Sequence, residues 1–179
     1  MTLRTSAVLA IALIGGAAVA ANTDIVVTPV VTGGHVVASF SAPGSVFDDA
    51  REAIESGLLL TFTYSIELRR PAGWLWFDRT LVDTSVGASV KFDALTGVYQ
   101  VSKLRDGRVV WSERSDKEAD VRGWITSFDQ IALEPTEPLE PNADYYVRVR
   151  LHLSPRRTFS IWPWSHDDGS GRKDFTYIR

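Results

Sequence analysis

Leu58-Leu59-Leu60-Thr61-Phe62-Thr63-Tyr64-Ser65-Ile66-Glu67-Leu68-Arg69 decides the fold class of this chain. Leu58, Leu60, Phe62, Tyr64, Ile66 and Leu68 point one way. Leu59, Thr61, Thr63, Ser65, Glu67 and Arg69 point the other. A period of two predicts a β-strand with one face on a core and one face mostly in water. Sheets covered on one side only are commonly antiparallel.

The signals on either side agree. Upstream, Phe47, Ala50 and Ile54 share a helical face, Ser45 stands at the N-cap position with Asp48 three residues on, and Gly57 suits the position after the last turn. These predict a helix over Val46–Ser56. Before it, Ile25 to Val31 and Val36 to Phe40 flank Gly33-Gly34 and read as a hairpin, with Pro29 marking the first strand as an edge. Downstream, Pro71-Ala72-Gly73 turns the chain, and Trp74 to Phe92 reads as one long strand or two broken near Gly87. Tyr99 to Leu104 and Val109 to Trp111 flank Asp106-Gly107, a strong hairpin signal. Ser115-Asp116 opens a second helix, with Val121, Trp124, Ile125 and Phe128 on one face. Ile131 to Leu133 reads as a short strand, and Glu134 to Asn142 as a loop. Tyr145 to Leu153 alternates again, with Tyr146, Arg148, Arg150 and His152 outward, and Phe175 to Ile178 closes the chain as a last strand. The expectation is an α+β fold: a mainly antiparallel sheet, or two packed sheets, carrying two short helices. The order hairpin, helix, strand recurs, which admits a duplicated ββαβ arrangement.

The first twenty residues belong to a different kind of segment. Arg4 precedes the apolar run Ala7 to Ile14, and Ala18-Val19-Ala20 offers a small-residue cut after Ala20. This pattern predicts a secretory signal peptide over residues 1–20, leaving a single α+β domain over 21–179. The apolar run is short for a membrane span. Left uncut, it would tether the domain to the inner membrane. Loss of Arg4 takes the formal charge from -3 to -4, with no basic footprint for nucleic acid. The chain has no cysteine. Thiol catalysis, disulfides, iron–sulfur ligation, covalent haem attachment and a bacterial lipoprotein anchor are therefore excluded.

Trp74-Leu75-Trp76-Phe77-Asp78 follows the helix, the long strand and Arg69-Arg70. Leu95-Thr96 then precedes Tyr99, a Tyr–Arg strand comes late, and Trp162-Pro163-Trp164 lies near the end. In this order the chain resembles the exported bacterial family catalogued as domain of unknown function 4390. The family's adjacent Trp pair is split here by Leu75. The resemblance implies the fold and export, and carries no activity.

Several residues are candidates for chemistry. Arg148, Arg150 and His152 share a strand face that suits a carboxylate, a phosphate or a lipid head group, with Arg156 and Arg157 as an extension. Trp74, Trp76 and Phe77, and Trp162 and Trp164, form two aromatic clusters suited to a core or to a partner surface. His35, His152 and His166 lack metal spacing, so neither a metal nor a cofactor is expected. His166-Asp167-Asp168-Gly169 lacks the ligand spacing of a calcium loop. Ser170-Gly171-Arg172-Lys173 matches S-x-x-K, but it lies in a Gly-rich turn without partner motifs. The expectation is a non-enzymatic binding or protein-interaction module of the cell envelope, periplasmic or secreted, whose partner is an envelope protein or an anionic ligand. The alternatives are a hydrolase-type enzyme with dispersed carboxylates and a membrane-tethered structural protein.

Overall fold

The structure, a computed structural model, describes residues 25–32, 35–72, 77–135, 137–154 and 169–178. The leader, the Gly33-Gly34 turn, Trp74, Trp76, Arg156, Arg157, Trp162, Trp164 and His166-Asp167-Asp168 lie outside the described residues. Nine strands and two helices are described: β1 (Val26–Thr32), β2 (His35–Ser41), α1 (Ser45–Glu55), β3 (Leu60–Arg70), β4 (Arg79–Asp93), β5 (Val98–Arg105), β6 (Arg108–Ser115), α2 (Glu118–Thr126), β7 (Ser127–Leu133), β8 (Asp144–Ser154) and β9 (Ser170–Thr176). A three-stranded sheet runs β1-β2-β7, and a six-stranded sheet runs β6-β5-β4-β3-β8-β9. Every pairing is antiparallel. The α+β expectation holds.

The order ββαβ occurs twice, as β1-β2-α1-β3 and β5-β6-α2-β7. The first hairpin belongs to the small sheet and its helix leads into the large one. The second hairpin belongs to the large sheet and its helix leads into the small one. Each helix is thus a crossover between sheets.

The alternating strand becomes β3, at the centre of the large sheet. Leu60, Phe62, Tyr64, Ile66 and Leu68 are buried, whereas Leu58 and Leu59 precede the strand and are about half exposed. On the inner face, Phe40, Tyr64 and Phe128 meet pairwise with ring centroids 4.9, 5.2 and 5.2 Å apart. Such ring pairs contribute about 0.5–1.5 kcal/mol each beyond their buried area. Phe128 is expected on the second helix, but it sits on β7 because α2 stops at Thr126 and the chain continues without a loop. Two carbonyls of that helix end are satisfied from elsewhere: the Tyr64 hydroxyl donates to Ile125 O at 2.8 Å, and Ala42 N donates to Thr126 O at 2.8 Å.

The start of α1 also differs from expectation. Gly44 is its N-cap and no side chain caps it. Asp48 instead faces α2, taking hydrogen bonds from Arg122 at 2.7 and 2.9 Å and from Arg51 at 3.0 Å. Glu118 accepts from both arginines, at 2.6 and 3.0 Å, and both guanidiniums lie over the buried Phe47 ring. Opposite charges on two facing helices outcompete a local capping box here, because one arginine fork can take both carboxylate oxygens.

Gly87 does not break β4, which is one continuous strand. A Cβ at Gly87 would lie 2.5 Å from Phe62 O, so the glycine permits close approach to β3. The Asp106-Gly107 hairpin forms as expected, with positive φ of 47° and 76° at its two turn residues.

Candidate functional site

The outer face of the large sheet brings β3, β8 and β9 together. Register sets Glu67 opposite Arg148, Ser65 opposite Arg150, Thr63 opposite His152 and Arg69 opposite Tyr146. On the far side of β8, Arg148 faces Arg172 and Tyr146 faces Asp174. Directly opposed side chains on one face are close enough to bond.

Glu67 is the centre of the cluster and is only 9% exposed. Arg148 Nη2 donates to its Oε2 at 2.6 Å, Arg150 Nη2 donates to its Oε1, and Arg69 Nη1 lies 3.6 Å from Oε2. Burial pushes the Glu67 carboxyl up, but the Arg148 hydrogen bond and the three positive charges outweigh it and hold it below its ordinary range. The carboxylate therefore stays ionised at neutral pH.

Tyr146, expected on a wet face, is 1% exposed. The Arg172 guanidinium covers its ring at 3.6 Å, and its hydroxyl donates to Asp78 Oδ2 at 2.6 Å. Asp78 also accepts from Ala72 N at 3.0 Å, and its main-chain oxygen accepts from Arg69 Nη2 at 3.0 Å. The Tyr146 hydrogen bond, followed by the Ala72 one, lowers the Asp78 carboxyl. Arg172 is in turn held by Asp174 at 2.6 Å. A shallow depression of about 370 Å³ opens beside Arg148 and Arg172, floored by Ile25, Ser170 and Gly171.

Two features define what this face can do. The Nε atoms of Arg69 and Arg148 are buried and have no hydrogen-bond partner among the described residues. The overall charge is balanced: Arg69, Arg148, Arg150 and Arg172 stand against Glu67, Asp78, Asp174 and the exposed Asp83, which faces Glu67 from β4. Any pull on an anion is thus short-ranged, through directed guanidinium N–H groups rather than a long-range field.

Of the residues singled out in the sequence, Arg148 and Arg150 meet on Glu67, and His152 lies exposed on the same face. Glu67, Arg69, Tyr146, Asp78 and Arg172 were missed. Glu67 gave one signal, as the lone acid on the outward side of β3. That β3 and β8 would be neighbours was not readable. Ser170 to Lys173 lies on β9, not in a turn. Residues three apart on a strand point to opposite faces, so Ser170 and Lys173 do not converge. Among the described residues, no group of His, Asp and Glu is placed to hold a metal ion, and no helix is long and apolar enough to cross a membrane.

The chain was compared with known families, curated proteins and solved structures. A family model described as a domain of unknown function (DUF4390) matches residues 19–157. The match ends before β9. No curated protein and no solved structure matches the chain.

Proposed function

We propose a function for a chain that belongs to the DUF4390 family: a non-enzymatic binding domain of the cell envelope, exported by its first twenty residues, that takes an anionic group on the arginine face of the large sheet. The observation that carries this reading is the convergence of Arg69, Arg148 and Arg150 on one carboxylate. Glu67 holds the guanidiniums in place, and the partly exposed Arg148 and Arg150 side chains still reach the surface where a carboxylate or phosphate would bind. Preorganised arginines lose less conformational freedom on binding than free ones do. Support for export comes from the leader pattern, and from a family match that begins at residue 19, beside the cut after Ala20.

Calorimetric titration of the purified protein with inorganic phosphate and with citrate tests the site. Binding should be measurable and should be lost in the R148Q/R150Q double variant. Removing both arginines strips Glu67 of its counter-charges, so the R148Q/R150Q/E67Q triple variant serves as a folded comparison. Undiminished anion binding by the triple variant would refute the site. Sequencing the N-terminus of protein recovered from the periplasm tests export, with Ala21 as the expected first residue.

A further inference from the structure

The two sheets present four edge strands, β1 and β7 in the small one and β6 and β9 in the large one. An edge offers unpaired backbone N–H and C=O groups, and proteins guard such edges against stray pairing. Three of the four are blocked or partly covered by a proline, by side chains or by neighbouring backbone. Pro29 interrupts the donors of β1. Along β7, Lys103 Nζ donates to Ser127 O and Arg105 Nη2 to Ala132 O, each at 3.3 Å, so side chains from β5 cover its carbonyls. At β9, Ile25 N donates to Ser170 O at 3.1 Å, and the Ile25 backbone lies so close to Gly171 that a Cβ there would meet it at 2.0 Å.

β6 has no such cover among the described residues. Among the described residues it pairs with β5 alone. Val110 is the extra residue of a bulge, since Lys103 faces Trp111 and Leu104 faces Val109. The bulge leaves Val109 and Val110, 62% and 64% exposed, side by side at the rim. Beyond it, Trp111 to Ser115 runs in regular register along an open edge.

The charges beside this edge say what kind of strand fits it. Lys91, Gln100 and Arg114 form one row across β4, β5 and β6. Arg105 faces Arg108 next to the hairpin turn. A shallow depression of about 340 Å³ lies there, lined by Arg105, Asp106, Arg108 and Val110. Asp106 is already engaged, accepting from Thr84 Oγ1 and Ser85 N at 3.0 Å. Exposed charge along β6 and its ends is mixed: Arg105, Arg108, Arg114 and Lys117 stand against Asp106, Glu113, Asp116 and Asp120, which accepts from Ser115 Oγ at 3.0 Å. The rows through Arg114 and through Arg105 and Arg108 hold cations and no acid, so a lysine placed opposite either would meet like charge.

We infer that β6 is a docking edge for an extended acidic segment of another protein. That segment adds to the large sheet as a seventh strand. Its backbone pairs with Trp111 to Ser115, an apolar residue covers the two valines, and acidic side chains reach Arg114 and the Arg105–Arg108 depression. Strand addition of this kind takes its affinity from main-chain bonds and its selectivity from alternate side chains. This surface is separate from the arginine face and does not depend on it.

A synthetic peptide of alternating valine and glutamate, with a valine–lysine peptide of equal length, tests the assignment. Hydrogen exchange and fluorescence anisotropy on the purified protein are the readouts. The glutamate peptide should slow exchange at Trp111 to Ser115 and bind about fivefold tighter than its lysine counterpart, as two exposed charge pairs would give. Ser112→Pro should remove the binding. Arg114→Glu, an exposed change that leaves the strand intact should the proline variant misfold, should narrow or reverse the preference. Protection confined to another edge, or equal binding of the two peptides, overturns the inference. So does a concentration-dependent dimer through β6 that excludes the peptide, because a second copy would then be the occupant.

Discussion

Replacing Glu67 by Gln keeps the shape of the side chain and removes the charge on which three arginines converge. Of the two charge-assisted hydrogen bonds, from Arg148 and Arg150, one becomes a bond to a neutral amide oxygen and the other is lost, because the amide nitrogen only donates. Bonds to charged groups contribute about 1.5–3 kcal/mol each, and the low end applies because the Arg148 and Arg150 side chains remain 30% and 38% exposed. The amide oxygen that the substitution introduces still accepts one ordinary hydrogen bond, worth about 1 kcal/mol, so the net loss is about 2 kcal/mol. For a domain of this size that lowers Tm by about 4–8 °C. The pH dependence has a definite sign. The folded Glu67 carboxyl is held below its ordinary value. Its contribution is therefore complete above the unfolded pKa of about 4.3 and disappears as pH falls through the lower folded value. Urea denaturation of both proteins near pH 7 should show the full gap, and the gap should shrink as pH falls below the unfolded value and through the lowered folded one, where wild-type Glu67 itself becomes neutral. A variant as stable as wild type at neutral pH, or a gap unchanged in acid, would show that Glu67 does not hold the cluster together.

Two further substitutions probe how the sheets and helices meet. Gly87→Ala forces a Cβ against the Phe62 carbonyl, which belongs to the backbone of a central strand and has no room to yield. It should cost about 1–3 kcal/mol in denaturant unfolding, and a loss under ~0.5 kcal/mol would mean that β3 and β4 separate more easily than their register implies. Tyr64→Phe removes the donor to Ile125 O and leaves a buried helix carbonyl unpaired. About 1–3 kcal/mol should be lost, with hydrogen exchange at the α2–β7 junction accelerating before the rest of the domain; uniform acceleration would argue against a local role.

Periodicity made much of the fold legible. β3 and β8 read correctly, face by face, because strict alternation on a half-buried sheet has one solution for register. The Asp106-Gly107 turn and Gly57, with its φ of 85°, were equally plain, since both need positive φ. Boundaries that depend on partners were not. Phe128 fits a helical spacing and an alternating strand equally well, and only its place between Phe40 and Tyr64 decides for the strand. Asp48 resembled a capping residue because Arg122 is far away in sequence. The candidate site was half visible for the same reason: Arg148 and Arg150 announce themselves on one strand. Their acceptor, Glu67, and the Arg172 that covers Tyr146 come from strands whose adjacency no local pattern records.

The two crossover helices have a consequence for how this chain comes into being. Phe40 on β2 pairs with Phe128 on β7, and Phe62 on β3 pairs with Leu153 on β8. As synthesis proceeds from the N-terminus, β2 waits for β7 and β3 waits for β8. The β3-β4-β5-β6 strands can pair as they emerge, but the small sheet and the β8 side of the large one stay incomplete until the last third of the chain is made, because pairings this far apart in sequence form late and slowly. The same topology that locks the finished domain leaves the unfinished one with open sheet edges.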